Sequence, residues 1–363
     1  MIELTMYGQQ TSVYEYVKMM LLQNTKKAKI DLRLKEVNDW TEIVKEKIPS
    51  LPTIRLNNHI DMSYTESQNV NEFVHQLTTK ILKEENYGEM IKMIVPTDFS
   101  DTATNALVYA HNLSQPINGM IKVVHVYRPE VVQIDNIAIV DKEVEELKKK
   151  QLEEFVSKIN RSWIGASSGY TPMESEFKVG FVADEVYKIC TEPFNRNLIV
   201  VGSTGTTDNL KKFFGSVSLQ LIKRSPSPVL VIPPKTTYNG IDNILYAVAS
   251  IEKDMQSSPA ILDFADMMGA TVHLVHVNTK NEVYPSQTLL DRCKNLNPKV
   301  EVVYQEIDST DVISTIDDYV IDNKIDMVSL TTFDRGFLSD LFHKSVTRKM
   351  AIHTDIPLLI IHA

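Results

Sequence analysis

Short runs of β-branched and other apolar residues, without polar alternation, punctuate the chain at Met93 to Pro96, Val123 to Val126, Asn197 to Gly202, Pro228 to Pro233, His273 to Val277 and Pro357 to His362. Such runs suit strands buried on both faces, whereas alternation would mark a half-exposed strand. Between them lie stretches with helical spacing. Glu143 to Lys158, for example, pairs opposite charges three and four positions apart and leaves a thin apolar stripe, the mark of a solvated helix packed on a sheet. Strand runs alternating with helices predict parallel βαβ units and an α/β protein.

The pattern repeats. Lys92 to Asp98 and Asn243 to Ala249 open alike, and each is followed by a helix and a strand ending in His-Val. Asn243 stands 151 positions after Lys92, and His276 stands 151 positions after His125. Both copies end with a helix containing Ser-Val and a proline-led apolar strand: Ser216-Val217 with Pro228, and Ser345-Val346 with Pro357. The expected domains are residues 89–235 and 238–363, joined by the stiff Pro233-Pro234-Lys235-Thr236-Thr237 segment, with a further domain over residues 1–86. That leading segment reads as strand (2–7), helix (12–23), strand (29–35), helix (41–47), a strand entered through Ser50-Leu51-Pro52-Thr53, a turn, and a helix (69–82). The order and the proline resemble the thioredoxin and glutaredoxin fold. Where a redox CxxC would follow the first strand the chain reads Gly8-Gln9-Gln10-Thr11-Ser12, so no thiolate is available for disulfide exchange. A packing or partner-binding domain is the expectation.

Composition narrows the function classes. At about 150 residues per domain, 363 residues hold two or three globular units. A net charge of -9, from 47 acidic and 38 basic side chains, argues against a nucleic-acid binder, which needs clustered cations. Cys190 and Cys293 cannot form a disulfide framework and sit in no metal-ligand spacing, which fits a reducing compartment. The nine histidines form no HExxH pattern, and His273 and His276, three apart on a strand, point to opposite faces, so no metal is expected. The amino terminus lacks a cationic region leading into a long apolar run, and no stretch reaches the ~18 apolar residues of a membrane span. The expectation is a soluble cytoplasmic protein without a membrane partner.

One motif carries chemistry. Only 12 glycines occur in the chain, yet Gly202, Gly205 and Gly215 fall together just after an apolar strand. Glycines at a strand-to-helix junction let backbone amides approach a ligand, and the helix dipole favours an anion, so phosphate is the expected guest. Ser216 and Ser218 would lie in or beside the first turn of the next helix, where they can cap it or donate to a phosphate. The spacing is neither the Walker pattern nor GxGxxG. G-x2-G-x9-G-S/T resembles the nucleotide motif of the universal stress protein family, and Val95 to Ser100 and His125-Val126 resemble that family's first and second strands. The resemblance spans both repeats and implies two Rossmann-like, adenine-nucleotide α-hydrolase-like domains with five-stranded parallel sheets. It further implies that the first repeat binds ATP, with or without Mg2+. Pro96, Thr97 and Asp98 would face the ribose or adenine and Val126 the adenine edge. Gly202, Ser203 and Gly205 would line the ribose and phosphate path, and Gly215, Ser216, Val217 and Ser218 would hold the phosphates. From the residues alone, Asp98 or Ser100 could equally be a helix cap.

The second repeat serves as a control. Aligning the Ser-Val pairs sets Thr331, Asp334 and Lys344 opposite Gly202, Gly205 and Gly215, while aligning the first strands sets Ala249 opposite Asp98. With these positions changed, the second repeat is expected not to bind ATP in this mode, although Arg335, Lys344 and Arg348 leave another anion open. The functional expectation is a nucleotide-binding stress-response module rather than an enzyme, the alternatives being a slow ATP phosphohydrolase drawing on Asp208, Lys211 and Lys212, or an interaction scaffold. AMP or a cyclic nucleotide remains open beside ATP. The repeats would pair within the chain or through a homodimer, with a further protein partner of unspecified kind.

Overall fold

The structure, a computed structural model, describes residues 2–27, 30–48, 50–56, 60–65, 69–86, 90–129, 132–134, 137–139, 142–163, 171–191, 196–203, 210–279, 284–332 and 356–362. The chain divides into two compact units, one of Met1–Met90 with Val156–Met173, the other of Ile91–Phe155 with Glu174–Ala363.

The first unit contains β1 (Ile2–Tyr7), α1 (Ser12–Lys27), β2 (Leu32–Val37), α2 (Trp40–Lys45), β3 (Thr53–Leu56), β4 (Ile60–Ser63) and α3 (Val70–Asn86). Its sheet runs β2-β1-β3-β4, with β1 parallel to β2 and antiparallel to β3, and β3 antiparallel to β4. Leu4, Met6, Ile54 and Leu56 from the sheet meet Tyr14, Val17 and Leu21 of α1 and Phe73, Leu77 and Ile81 of α3, all buried. The Tyr14 phenol donates to Glu36 Oε2 at 2.9 Å, and Lys18 Nζ lies 2.6 Å from Glu36 Oε1, tying α1 to β2. The Leu51–Pro52 peptide is cis, and Gly8-Gln9-Gln10-Thr11 leads from β1 into α1.

The second unit follows in chain order as β5 (Ile91–Pro96), α4 (Asp101–Ser114), β6 (Gly119–Tyr127), the hairpin β7 (Val132–Ile134) and β8 (Ile137–Ile139), α5 (Lys142–Trp163, shared with the first unit), β9 (Met173–Val179, whose first residue belongs to the first unit), α6 (Val182–Cys190), β10 (Asn197–Gly202), α7 (Leu210–Arg224) and β11 (Val229–Ile232). It continues through β12 (Asn243–Val248), α8 (Ile251–Met268), β13 (Thr271–Asn278), α9 (Ser286–Leu296), β14 (Val302–Asp308), α10 (Val312–Asp322), β15 (Met327–Thr332) and β16 (Leu358–His362). The apolar runs read from the sequence are all strands. β9 and β14, the outer strands of the sheet, are absent from that reading because apart from Met173 their residues are half-buried or exposed, with polar and charged side chains interleaved.

Where two separate five-stranded sheets are expected, one ten-stranded sheet runs β14-β13-β12-β15-β16-β11-β10-β5-β6-β9. Outward from its middle, both halves follow the same progression of strands. The neighbours β5/β6, β5/β10, β10/β11, β12/β13, β12/β15, β13/β14 and β15/β16 are parallel. The joint is antiparallel: Val229, Leu230 and Val231 face Ile360, Leu359 and Leu358. β11 is buried along its whole length, so its second row of backbone donors and acceptors needs a partner, and β16 supplies one. In the first half α4 packs on one face, while α6 and α7 cover Ile94, Val124, Ile199, Val201, Val229 and Val231 on the other. The carboxyl ends of β5, β6 and β10 thus come to one edge, where open parallel sheets bind ligands.

Candidate functional site

Pro96 ends β5 opposite Val124, and the chain then turns sharply. Thr97 is buried, its amide donating to the Val124 carbonyl at 2.9 Å and its hydroxyl accepting from the Phe99 amide at 3.0 Å. Asp98 is exposed at the strand's end and accepts from the Ser100 amide at 3.0 Å. Ser100 caps α4, its hydroxyl accepting from the Ala103 amide at 3.2 Å. Of the two readings of this turn, Ser100 therefore takes the cap and Asp98 keeps its carboxylate at the surface. Val126 lies on the neighbouring strand, half-buried against the α6 side of the core.

The end of β10 supplies the opposite wall. A Cβ on Gly202 would meet the Thr102 carbonyl oxygen at 2.5 Å, so glycine is required here by the backbone of α4. Ser203 follows, fully buried, its amide on the Ile232 carbonyl at 2.9 Å and its hydroxyl without a hydrogen-bond partner among the described residues. Gly205 lies outside the described residues. α7 is broken at Gly215, with φ 74° and ψ 163°, a conformation open almost only to glycine. The helix restarts at Ser216, so the next amides are the unpaired donors of a helix N-terminus. Ser216 and Val217 are exposed, whereas Ser218 turns inward and donates to the Gly202 carbonyl at 3.1 Å. That bond ties the restarted helix to the tip of β10. The cluster therefore offers main-chain amides, an exposed serine and a buried hydroxyl without a partner among the described residues, donors suited to a phosphate, and an exposed carboxylate, an acceptor suited to sugar hydroxyls.

The same edge of the second half is organised differently, through residues that sequence reasoning did not single out. The Tyr246 phenol lies 2.6 Å from Ser257 Oγ, 2.7 Å from Thr331 Oγ1 and 3.1 Å from Asp254 Oδ1. Asp254 Oδ2 accepts from the amides of Ala249 and Ser250 at 3.0 and 2.9 Å and from the Tyr284 phenol at 2.8 Å. The Tyr284 ring stacks on His276, with centroids 4.5 Å apart. By strand register Tyr246 and Thr331 match Val95 and Gly202, and counted from the helix caps Ser250 and Ser100, Asp254 and Ser257 match Thr104 and Leu107. Burial pushes the Asp254 carboxyl above the usual carboxylate range, against the pull of its donors. An internal carboxylate therefore occupies the amides beside the strand end. Asp334, Arg335, Lys344 and Arg348 lie outside the described residues, as does Asp208. Lys211 and Lys212 fall on α7 with no described side chain.

Elsewhere, Cys190 and Cys293 are buried and unbridged, burial raising the Cys293 thiol to about 11. His273 and His276 bond separately, to Tyr319 and Asn243 and to the Val248 carbonyl. Among the described residues no cluster of His, Cys, Asp or Glu could hold a metal, and no helix is long and apolar enough to cross a membrane.

The model of the universal stress protein family matches residues 90–233. Universal stress protein MJ0577 of Methanocaldococcus jannaschii is 30% identical over 157 residues, covering 40% of this chain and 96% of the relative. A second protein of that organism, MJ0531, is 28% identical over 146 residues, 39% of this chain and 81% of its own. With a relative matched at that identity over almost its full length, the chain belongs to the universal stress protein family. The crystal structure of a universal stress protein from Archaeoglobus fulgidus, 19% identical, superposes with a TM-score of 0.58 over 75% of this chain and 96% of its own, a likeness of fold.

Proposed function

We propose that this chain is a nucleotide-binding regulatory module in which the first half of the large sheet binds one ATP. The second half is a degenerate tandem copy that pairs with it inside the chain. The domains are then 89–235 and 238–363, behind a thioredoxin-like domain over residues 1–86 that has lost its thiols and serves as a partner surface. Exposed Trp40 and Val44 on α2 support that last role.

The observation that carries the reading is the break of α7 at Gly215 in a helix tied by Ser218 to the tip of β10, where the buried Ser203 hydroxyl has no hydrogen-bond partner among the described residues. The helix restarts where a phosphate would need amides, and the dipole of the segment that follows favours negative charge there. The amides of Ser216, Val217 and Ser218 and the Ser216 hydroxyl hold the phosphates, and Gly205, outside the described residues, is assigned with Gly202 and Ser203 to the ribose and phosphate path. Gly202 and Ser203 line the path between phosphate and ribose. Asp98 accepts from ribose hydroxyls, while Pro96, Thr97 and the Val126 backbone wall the base. In the second half Asp254 satisfies the amides of Ala249 and Ser250 at the end of β12, and Ala249 stands where the first half has Asp98, which supports a single site per chain. Bound ATP biases a conformational or assembly equilibrium in proportion to its preference for one state.

Calorimetric titration of the full chain tests this. One ATP per chain is expected, and Gly215→Ala, strained by about 1–3 kcal/mol at this backbone conformation, should weaken binding at least tenfold. A folded protein that binds no ATP, or two equivalents of it, refutes the proposal.

A further inference from the structure

Phe99 has φ 67°, in the left-handed region that large side chains avoid, at the junction between β5 and α4. Several contacts hold it there. Its amide donates to Thr97 Oγ1, and its ring packs on His125 with centroids 4.4 Å apart and on Phe155 at 5.4 Å. His125 Nδ1 lies 2.8 Å from the Thr97 carbonyl. A carbonyl can only accept, so Nδ1 carries the proton and Nε2 is a bare acceptor, buried and without a hydrogen-bond partner among the described residues. Burial lowers the basicity of the ring, and the charged groups felt there are Lys148 and Asp98. His125 therefore clasps one end of the turn while its ring supports the strained residue at the other.

The second half separates what the fold requires from what is added. There His276 Nδ1 meets the Val248 carbonyl at 3.0 Å, the same clasp at the matching positions. The link into the helix is one residue shorter, however: Ala249 stands where the first half has Asp98, and Ser250 follows it directly, preceding α8 as Ser100 precedes α4, with an ordinary φ of -141° and no counterpart of Phe99. The ring stacked on His276 comes from Tyr284, eight positions further along the chain, and not from the turn between β12 and α8. The left-handed aromatic residue thus accompanies the half that keeps the carboxylate.

We propose that His125 and Phe99 are positioning residues of the ATP site: the clasp on Thr97 and the left-handed turn at residue 99 hold Asp98 exposed at the strand end, ready for the ribose. Strain that the surrounding contacts over-determine is a mark of such pre-organisation. The inference rests on the ATP reading above, with an arm that does not.

In the ligand-free full chain, amide hydrogen exchange over residues 97–102 should rise about tenfold in His125→Leu, with residues 248–253 unchanged. It should return towards wild type in His125→Asn, whose Nδ2 can replace the donor. ATP affinity should fall about tenfold in His125→Leu, recover in His125→Asn, and show no further loss when His125→Leu is added to Asp98→Ala. At residue 99 the expected order runs against hydrophobicity: Phe99→Gly, which loses the ring contacts but accepts the left-handed backbone, weakens ATP binding less than Phe99→Val, which loses at least about tenfold. Unchanged exchange in His125→Leu, an additive loss in the Asp98→Ala background, or Phe99→Val outperforming Phe99→Gly each overturns the assignment. If wild type binds no ATP, the ribose-positioning role falls with that reading, and the exchange measurement alone still decides whether His125 holds the turn.

Discussion

Gly202→Ala probes why a glycine ends β10. The new methyl would lie 2.5 Å from the Thr102 carbonyl oxygen, 2.9 Å from its carbon and 3.3 Å from Cβ of the same residue. The two closest atoms are backbone, in the first turn of a helix whose cap and buried face fix its position, so a rotamer change cannot clear the overlap. Either α4 slides outward or the end of β10 withdraws from it. Movement of β10 would disturb the bonds from the Ser203 amide to Ile232 and from Ser218 to the Gly202 carbonyl. Overpacking of a well-packed site costs about 1–3 kcal/mol, and a rigid partner puts this substitution near the upper end. For a unit of this size about 3 kcal/mol lowers Tm by roughly 6–12 °C. Thermal unfolding followed by circular dichroism reads the shift, with ATP titration alongside. A variant that melts with wild type yet loses ATP would refute the reasoning, because the glycine would then serve the ligand alone rather than the approach of α4.

Asp254→Ala strips an acceptor from two amides and two buried phenols, and leaving such donors unpaired should cost about 3 kcal/mol or more, read as a lowered denaturant midpoint with ATP stoichiometry unchanged. Burial holds the His111 imidazole at about 4 against 6.5 for the free side chain, so the unfolded chain takes up the proton first; its share of stability is complete above pH 6.5 and falls by about 3 kcal/mol as pH drops to 4. His125 and His273, also lowered, add to that slope, while Asp254, raised by burial, opposes it. Urea titrations from pH 7.5 to 4 should therefore give a shallower fall in His111→Gln than in wild type, and equal slopes would remove His111 as a cause.

Much of the large unit was legible because its central strands are buried on both faces and announce themselves as unbroken runs of Val, Ile and Leu. The edges were not. In β9 and β14 the two faces meet different surroundings, and a search for continuous apolar runs passes over Glu174, Glu176 and Gln305. Nor could the sequence place the antiparallel joint, since Val229 to Val231 and Leu358 to Ile360 look alike whether they end two sheets or share one. At the candidate site the glycine cluster was visible, but spacing cannot distinguish a glycine that clears room for a ligand from one that clears room for Thr102. Tyr246, Asp254, Ser257 and Thr331 are spread over more than eighty positions and meet only in three dimensions. The left-handed Phe99 leaves no trace in composition at all.

The joint between β11 and β16 has a kinetic meaning as well as a geometric one. Two separate chains meeting through such strands would find each other at a rate set by how many are present, and would part on dilution. Here both strands belong to one polypeptide, so each fold of the chain brings its own counterpart, and the seam between the halves is independent of how much protein the cell makes.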